Sequence, residues 1–269
     1  MSYRQFFGLA REPFSADLEL DEIMQTEDIV GVSQRLDYVI RLGGIGLVTG
    51  EVGAGKSTAL RWATGQLHPS AHKVLWITAT AGSILEIYRQ LLAELDINTA
   101  ASSRAVLTRM IRQQIIDLAV IKKQHPLLVI DEASLLRLDV FAELHTLTQF
   151  QGDSKPWLPI ILAGQNNLAD NLLYRTAVPL ASRIVARSHL KAVAREGMEQ
   201  YILHHLAVAG IKKEASPFDE QALTAIHQGS GGLFRKANHL ARGALIAAAA
   251  EKSQTVTAEH VRMADSELL

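Results

Sequence analysis

The sequence contains no cysteine among its 269 residues. This absence excludes disulfides, thiolate metal sites and cysteine nucleophiles, and it fits a reducing cytoplasm. The sequence also lacks a surplus of charge of either sign, since 27 lysines and arginines face 28 aspartates and glutamates and leave a formal net charge of −1. Any binding to nucleic acid or to a membrane surface must therefore use a local patch.

Long apolar runs are missing as well. The N-terminal stretch MSYRQFFGLAREPF has no apolar core of the signal-peptide kind. The apolar stretch 244–250 is far too short to span a bilayer, and it predicts a buried, alanine-rich helix. With 48% hydrophobic residues the chain can nevertheless bury a sizeable core. We therefore expect a cytoplasmic protein without a membrane span.

Apolar runs alternate with helix-periodic segments over the first 190 residues. This alternation predicts an α/β fold in which helices flank a parallel sheet. After residue 190 the strand signals stop, so we predict an α/β domain over 1–190, with a linker over 1–30, and a small all-helical lid domain over 191–269. The predicted strands are 45–49, 73–78, 127–130, 159–163 and 183–190, and the predicted helices of the second domain are 195–209, 219–228, 233–250 and 257–265.

The segment GEVGAGKS at 50–57 matches the phosphate-loop pattern G-x-x-x-x-G-K-[ST] in full. Its glycines let backbone N–H groups approach phosphates, and the helix that begins there adds its positive end. Lys56 would reach the β- and γ-phosphates, and Ser57 would offer a hydroxyl to Mg²⁺. A glycine-rich turn with an exposed lysine is the alternative, which the strand–loop–helix context disfavours. The predicted ATP-binding residues are Gly50, Glu51, Val52, Gly53, Ala54, Gly55, Lys56, Ser57 and Thr58.

Two carboxylates, Asp131 and Glu132, follow the buried run 127–130. The carboxyl end of a parallel strand faces the ligand crevice of such folds. Asp131 would hold Mg²⁺, mostly through water, and Glu132 would act as the general base on the attacking water. Two solvated carboxylates at a helix start are the alternative, and the upstream phosphate loop makes this alternative less favourable.

The phosphate loop, the acidic pair and the helical tail together resemble an AAA+ ATPase. The segments YRQFFGL at 3–9, EPF at 12–14 and TGEVG at 49–53 are similar to the ExeA-type ATPases. That family includes a general-secretion component and transposition ATPases of the TnsC, TniB and MuB kind. The resemblance covers nearly the whole chain, and it implies hydrolysis of ATP to ADP and phosphate with Mg²⁺ as cofactor.

The same resemblance implies further site residues. Gln165 or Asn166 would sense the γ-phosphate at the sensor-1 position, and the choice stays open because Asn166 stands where the family often has proline. Arg183, in a segment similar to that of clamp-loader ATPases, would be an arginine finger for a neighbouring subunit, with Arg187 as second choice. Arg235 would contact the nucleotide as sensor 2. For each of them, an ordinary surface or loop polar group is the alternative.

An arginine finger that acts between subunits implies a homo-oligomer, either a ring or a helical filament, with ATP at its interfaces. Two functional hypotheses follow from the family. The first is a regulator of transposition that assembles on double-stranded DNA and recruits a transposase. The second is a general-secretion ATPase that acts on cell-envelope proteins. Secretion members continue into a membrane span and a peptidoglycan-binding domain, and the end of this sequence at Leu269 favours the first hypothesis.

A local excess of positive charge lies between residues 102 and 124, where five cations face a single acid, Asp117. Such residues would bind DNA phosphates without recognising bases, although a solvated helix face explains them equally well. A weaker cluster consists of Lys212 and Lys213. The candidate DNA contacts are Arg104, Arg109, Arg112, Lys122 and Lys123.

Overall fold

The structure is a computed structural model that describes residues 2–212 and 215–266. The chain divides into two compact units. The sheet unit contains Gln25–Gly50 and Lys56–Leu190, and the helical unit contains the residues up to Met24, the segment Glu51–Gly55 and the residues from Lys191 onward.

The sheet unit is built on five parallel strands in the order β2-β3-β4-β1-β5. Every residue of β1 and β4 is buried, and so is every residue of β3 except the first, which explains why these strands are near-continuous apolar runs. The predicted α/β fold with a parallel sheet is confirmed. The strands are β1 (Ile45–Gly50), β2 (His72–Thr78), β3 (His125–Asp131), β4 (Ile160–Gly164) and β5 (Ile184–Leu190).

Helices account for most of the remaining described residues, and none of those within 2–212 and 215–266 is both long and apolar enough to cross a membrane. Short 3-10 turns cover Leu20–Glu22 and Ala133–Leu135, and a π-helical turn covers Asp117–Ile121. The α-helices are α1 (Tyr3–Phe7), α2 (Glu27–Leu42), α3 (Lys56–Gly65), α4 (Ile84–Glu94), α5 (Arg104–Ile116), α6 (Leu138–Leu147), α7 (Asn167–Asn171), α8 (Val178–Ala181), α9 (Arg195–Val208), α10 (Glu220–Ser230), α11 (Phe234–Ala250) and α12 (Ala258–Ser266).

Helix α2 was not among the predicted elements. The hydroxyl of Thr26 caps it by accepting the N–H of Ile29 at 3.3 Å, and Gly43 ends it with a left-handed φ of 62°. Val32, Leu36 and Val39 bury its inner face. A glycine inside the helix and charged residues on its outer face weaken its periodic signal, so packing on the sheet decides its conformation.

Residues 2–24 lie in the helical unit, whereas the sequence predicted residues 1–30 as a linker of the α/β domain. The reason is hydrogen bonding to distant helices. The N–H of Ala10 donates to the carbonyl of Ala209 at 2.9 Å, and Arg242 donates to the carbonyl of Phe14 at 2.9 Å. The Phe14 ring is buried and stacks on His205. One boundary between the two units lies after Leu190.

Candidate active site

The phosphate loop connects β1 to α3. Gly53 and Gly55 have φ angles of 86° and 92°, which side-chain-bearing residues adopt only with strain. The carbonyl of Glu51 accepts the N–H of Ala54 at 3.2 Å and closes a tight turn inside the loop. This backbone conformation allows successive N–H groups to point toward a bound anion.

Lys56 is the first residue of α3, and its side chain is buried. Its Nζ donates a hydrogen bond to the carbonyl of Gly50 at 2.9 Å. A buried ammonium group is costly unless it has a negatively charged partner, and the positive end of a helix adds to that cost. A polyphosphate bound in the loop would place negative charge beside this ammonium group and the start of the helix.

Ser57 and Asp131 lie side by side, although 74 positions separate them in the chain. The hydroxyl of Ser57 donates to Oδ2 of Asp131 at 2.7 Å, and Oδ1 of Asp131 accepts the N–H of Glu132 at 2.9 Å. Hydroxyl and carboxylate oxygens are ligands that suit Mg²⁺. Among the residues that the structure describes, no cluster of three or more histidines and acids could hold a metal. The two side chains could provide ligands for a Mg²⁺ ion whose remaining ligands would be phosphate oxygens and water.

Glu132 has a φ of 53°, a left-handed conformation that a non-glycine residue adopts at a cost of about 1–2 kcal/mol. Its carbonyl accepts the N–H of Leu135 at 2.9 Å, which begins the 3-10 turn. The residue is half-buried, directly after the candidate metal ligand Asp131. Backbone strain of this kind often marks functional positions.

Gln165 and Asn166 are exposed immediately after β4. Because β4 pairs with both β1 and β3 in parallel register, this turn lies at the same sheet edge as Gly50 and Asp131. The N–H of Gln165 donates to the hydroxyl of Ser134 at 3.3 Å. Ser134 was not a sequence candidate, because nothing in its local pattern distinguishes its hydroxyl from any other.

Arg183 lies at the opposite end of the sheet. Its carbonyl accepts the N–H of Ile45, so it stands at the start of β5. Seven strand residues at about 3.3 Å each put it roughly 20 Å from the carboxyl edge. Arg183 forms an ion pair with Asp153 and donates from Nε to Nδ1 of His145 at 3.2 Å. The hydrogen bond from Arg183 lowers the pKa of Asp153, and burial followed by the Arg183 charge lowers the pKa of His145.

The two other arginine candidates have different surroundings. Arg187 is exposed in the middle of β5, opposite Leu47. Arg235 is the second residue of α11, and its backbone N–H donates to the carbonyl of Gly53 at 3.3 Å. A Cβ atom at Gly53 would lie 2.8 Å from Cβ of Arg235, so only glycine permits this approach.

The predicted basic patch is smaller in the structure than in the sequence. Arg104 forms an ion pair with Glu143. Arg112 donates to the carbonyls of Thr146 and Gln149, and its guanidinium lies 4.6 Å from the centroid of the Phe150 ring. Intramolecular contacts therefore engage two of the five cations. The exposed candidates that remain are Arg109, Lys122 and Lys123; Lys212 is exposed elsewhere, and Lys213 lies outside the described residues.

Comparison with known proteins agrees with this architecture. Residues 40–172 match the family model described as an AAA domain. Over 269 residues, which make up 99% of this chain and 48% of the relative, the chain is 30% identical to general secretion pathway protein A of Aeromonas hydrophila. The chain thus spans about half the length of the curated relative that it matches.

Two solved structures illustrate the similarity in fold. Cdc6p from Pyrobaculum aerophilum superimposes with a TM-score of 0.76 at 17% identity, over 95% of this chain and 70% of that chain. The Aeropyrum pernix ORC1 protein in complex with DNA superimposes with a TM-score of 0.71 at 15% identity, over 95% of this chain and 68% of that chain. At these identities the likeness establishes the fold alone, which is the P-loop fold of AAA+ proteins.

Proposed function

We propose that this chain, which carries an AAA domain with the AAA+ P-loop fold, binds ATP with Mg²⁺ and hydrolyses it to ADP and phosphate in support of protein secretion. The observation that carries the proposal is the convergence of three turns at one sheet edge. The turns after β1, β3 and β4 bring Lys56, the Ser57–Asp131 pair, Glu132 and Gln165 to that edge.

ATP binding uses the loop from Gly50 to Thr58. The N–H groups of the loop and the start of α3 surround the β- and γ-phosphates, and the Lys56 ammonium neutralises part of their charge. Ser57 and Asp131 hold Mg²⁺, which when bound draws electron density from the phosphate oxygens. Arg235, whose N–H already bonds to Gly53, adds a further cation for the phosphates.

Hydrolysis requires a water molecule in line with the bond from the γ-phosphorus to its bridging oxygen. The Glu132 carboxylate accepts a proton from this water as its oxygen bonds to phosphorus. The bond to the bridging oxygen breaks, and ADP leaves with the electron pair of that bond. Gln165 or Asn166 orients the γ-phosphate or the water by hydrogen bonding.

Arg183 serves a second copy of the chain in this proposal. Its position at the amino end of β5, roughly 20 Å from the carboxyl edge, prevents it from reaching the phosphates bound in its own chain. A head-to-tail homo-oligomer would bring it to a neighbouring site, where it would offset charge developing on the γ-phosphate. To do so, it must exchange Asp153 for phosphate as its partner.

The secretion role takes precedence over the transposition role. The 30% identity to general secretion pathway protein A extends over 99% of this chain, and the name of this relative supports a role in secretion. Two of the five candidate DNA contacts are engaged within the chain, which weakens the case for a duplex-binding patch. The position where the sequence ends does not help to choose between the two roles, because the chain spans only about half of this relative.

The test uses Glu132→Gln, with Glu196→Gln on the exposed face of α9 as a matched control. In vitro, Glu132→Gln should keep its ATP affinity and lose at least about 100-fold in turnover, because general-base catalysis contributes about 10²–10⁴-fold. In the source cell, the same replacement should lower the amount of secreted protein in the medium.

Each outcome bears on a different part of the proposal. Unchanged turnover in Glu132→Gln would refute Glu132 as the base. Normal secretion in cells carrying Glu132→Gln, together with ATP-dependent retention of duplex DNA by the purified protein at low salt, would replace the secretion role by the transposition role.

A further inference from the structure

Ser134 lies in the turn after β3 and contacts the turn after β4, and these two turns carry the candidate catalytic groups. It lies in the 3-10 turn two residues after Glu132, and only 8% of its surface is exposed. Its hydroxyl accepts the N–H of Gln165 at 3.3 Å, and its carbonyl accepts Nδ2 of Asn171 at 3.4 Å. Two hydrogen bonds therefore join the turn after β3 to the segment after β4.

Close backbone packing reinforces this connection. A Cβ atom at Gly164, the last residue of β4, would lie 2.8 Å from the backbone nitrogen of Ser134 and 3.1 Å from its Cβ. Only glycine allows the end of β4 to approach the turn so closely. Packed interiors resist small displacements, so a shift of either segment must move the other.

The turn itself transmits such a shift to Glu132. The N–H of Leu135 donates to the carbonyl of Glu132 at 2.9 Å, so Glu132 and Ser134 belong to one short hydrogen-bonded turn. The left-handed φ of Glu132 leaves the backbone little freedom to adjust independently. A displacement at Ser134 therefore changes the direction of the Glu132 carboxylate.

We infer that Ser134 is a positioning residue that couples Gln165 to Glu132. The inference rests on the proposed ATPase function: when Gln165 engages the γ-phosphate, its backbone pulls on the Ser134 hydroxyl, and the turn sets Glu132 against the attacking water. In the product complex, where the γ-phosphate is absent, Gln165 and Glu132 are no longer coupled to the nucleotide.

The kinetic test replaces Ser134 by alanine, which removes the hydroxyl and keeps the backbone. We expect kcat to fall by about 10- to 100-fold, since misplacing a catalytic group by about 1 Å costs up to about 10²-fold, while KM changes by less than about threefold. Asn171→Ala removes the second hydrogen bond from a different residue and should lower kcat in the same direction. Thr148→Val, which removes a buried hydroxyl bonded to the His145 carbonyl, is the matched control and should keep wild-type kinetics.

Hydrogen exchange gives a second result that does not depend on turnover. In the wild-type protein, a non-hydrolysable ATP analogue should slow exchange in segments 132–135 and 165–168 together. In Ser134→Ala, protection of 165–168 should no longer extend to 132–135. Wild-type kcat in Ser134→Ala, or joint protection that survives the replacement, would overturn the inference. Joint protection in a wild-type protein that does not hydrolyse ATP would instead refute the proposed function.

Discussion

Lowering the pH should destabilise the helical unit through one buried histidine. His205 is 3% exposed, and its ring packs against Phe14 and Tyr201 at centroid distances of 5.7 and 4.4 Å. Within the described part of the chain, its buried Nδ1 has no hydrogen-bond partner. Burial, followed by the charges of His204 and Arg11, lowers the pKa of His205 from 6.5 to about 4.

The direction and size of the effect follow from proton linkage. The unfolded chain binds a proton at this position below pH 6.5, and the folded chain does so only below about pH 4. The neutral ring therefore contributes its full stability above pH 6.5, and this contribution is lost progressively as the pH falls toward 4. Between pH 8 and pH 5 the loss amounts to about 2 kcal/mol.

The assay is urea unfolding of the full chain at pH 8 and pH 5, followed by circular dichroism for the helices. The fluorescence of Trp62, Trp76 and Trp157 reports separately on the sheet unit, which contains all three tryptophans. His205→Phe keeps an aromatic ring in the same space and cannot titrate, so it should lose about 2 kcal/mol less than the wild type over this pH interval. An equal loss in the two proteins would show that His205 is not held neutral by burial.

Two further predictions concern the nucleotide and the assembly. Gly53→Ala adds a methyl group 2.8 Å from Cβ of Arg235 at a left-handed φ of 86°, so its affinity for a fluorescent ATP analogue should fall at least about tenfold, which is about 1.4 kcal/mol. The control is Gly152→Ala, where the glycine is also left-handed but has open space around it, so this variant should bind the analogue normally. Equal affinity in the two variants would contradict the packing argument. Arg183→Ala should lose most ATP turnover. Mixing it with Glu132→Gln should restore part of the turnover, because the first variant keeps Glu132 and the second keeps Arg183. A mixture as inactive as its components would exclude an arginine finger that acts between subunits.

The phosphate loop and the strands could be predicted from the sequence because both depend on neighbours along the chain. The residues from Gly50 to Ser57 are contiguous in the chain. Their glycines, lysine and serine are suited to bind phosphate and Mg²⁺ whenever a strand precedes them and a helix follows. The strands β1, β3 and β4 could be predicted because a parallel strand covered on both faces demands nearly uninterrupted apolar residues. Helix α2 was not predicted, because its internal glycine and its charged residues weaken the helical periodicity of its apolar residues. Its conformation is decided by packing on the sheet.

Only the tertiary structure decided which distant residues meet. The sequence suggested that Ser57 and Asp131 serve the same ion, but their 2.7 Å contact depends on strand order and register, which no local pattern contains. The same reason explains why Ser134 was not a candidate and why no sequence pattern connected residues 2–24 with the helical unit. Charge along the sequence likewise overestimated the basic patch, because packing gives Arg104 and Arg112 partners within the chain. The periodicity of apolar residues indicates which face of each segment is buried. Which other segment covers that face is decided only when the segments pack together.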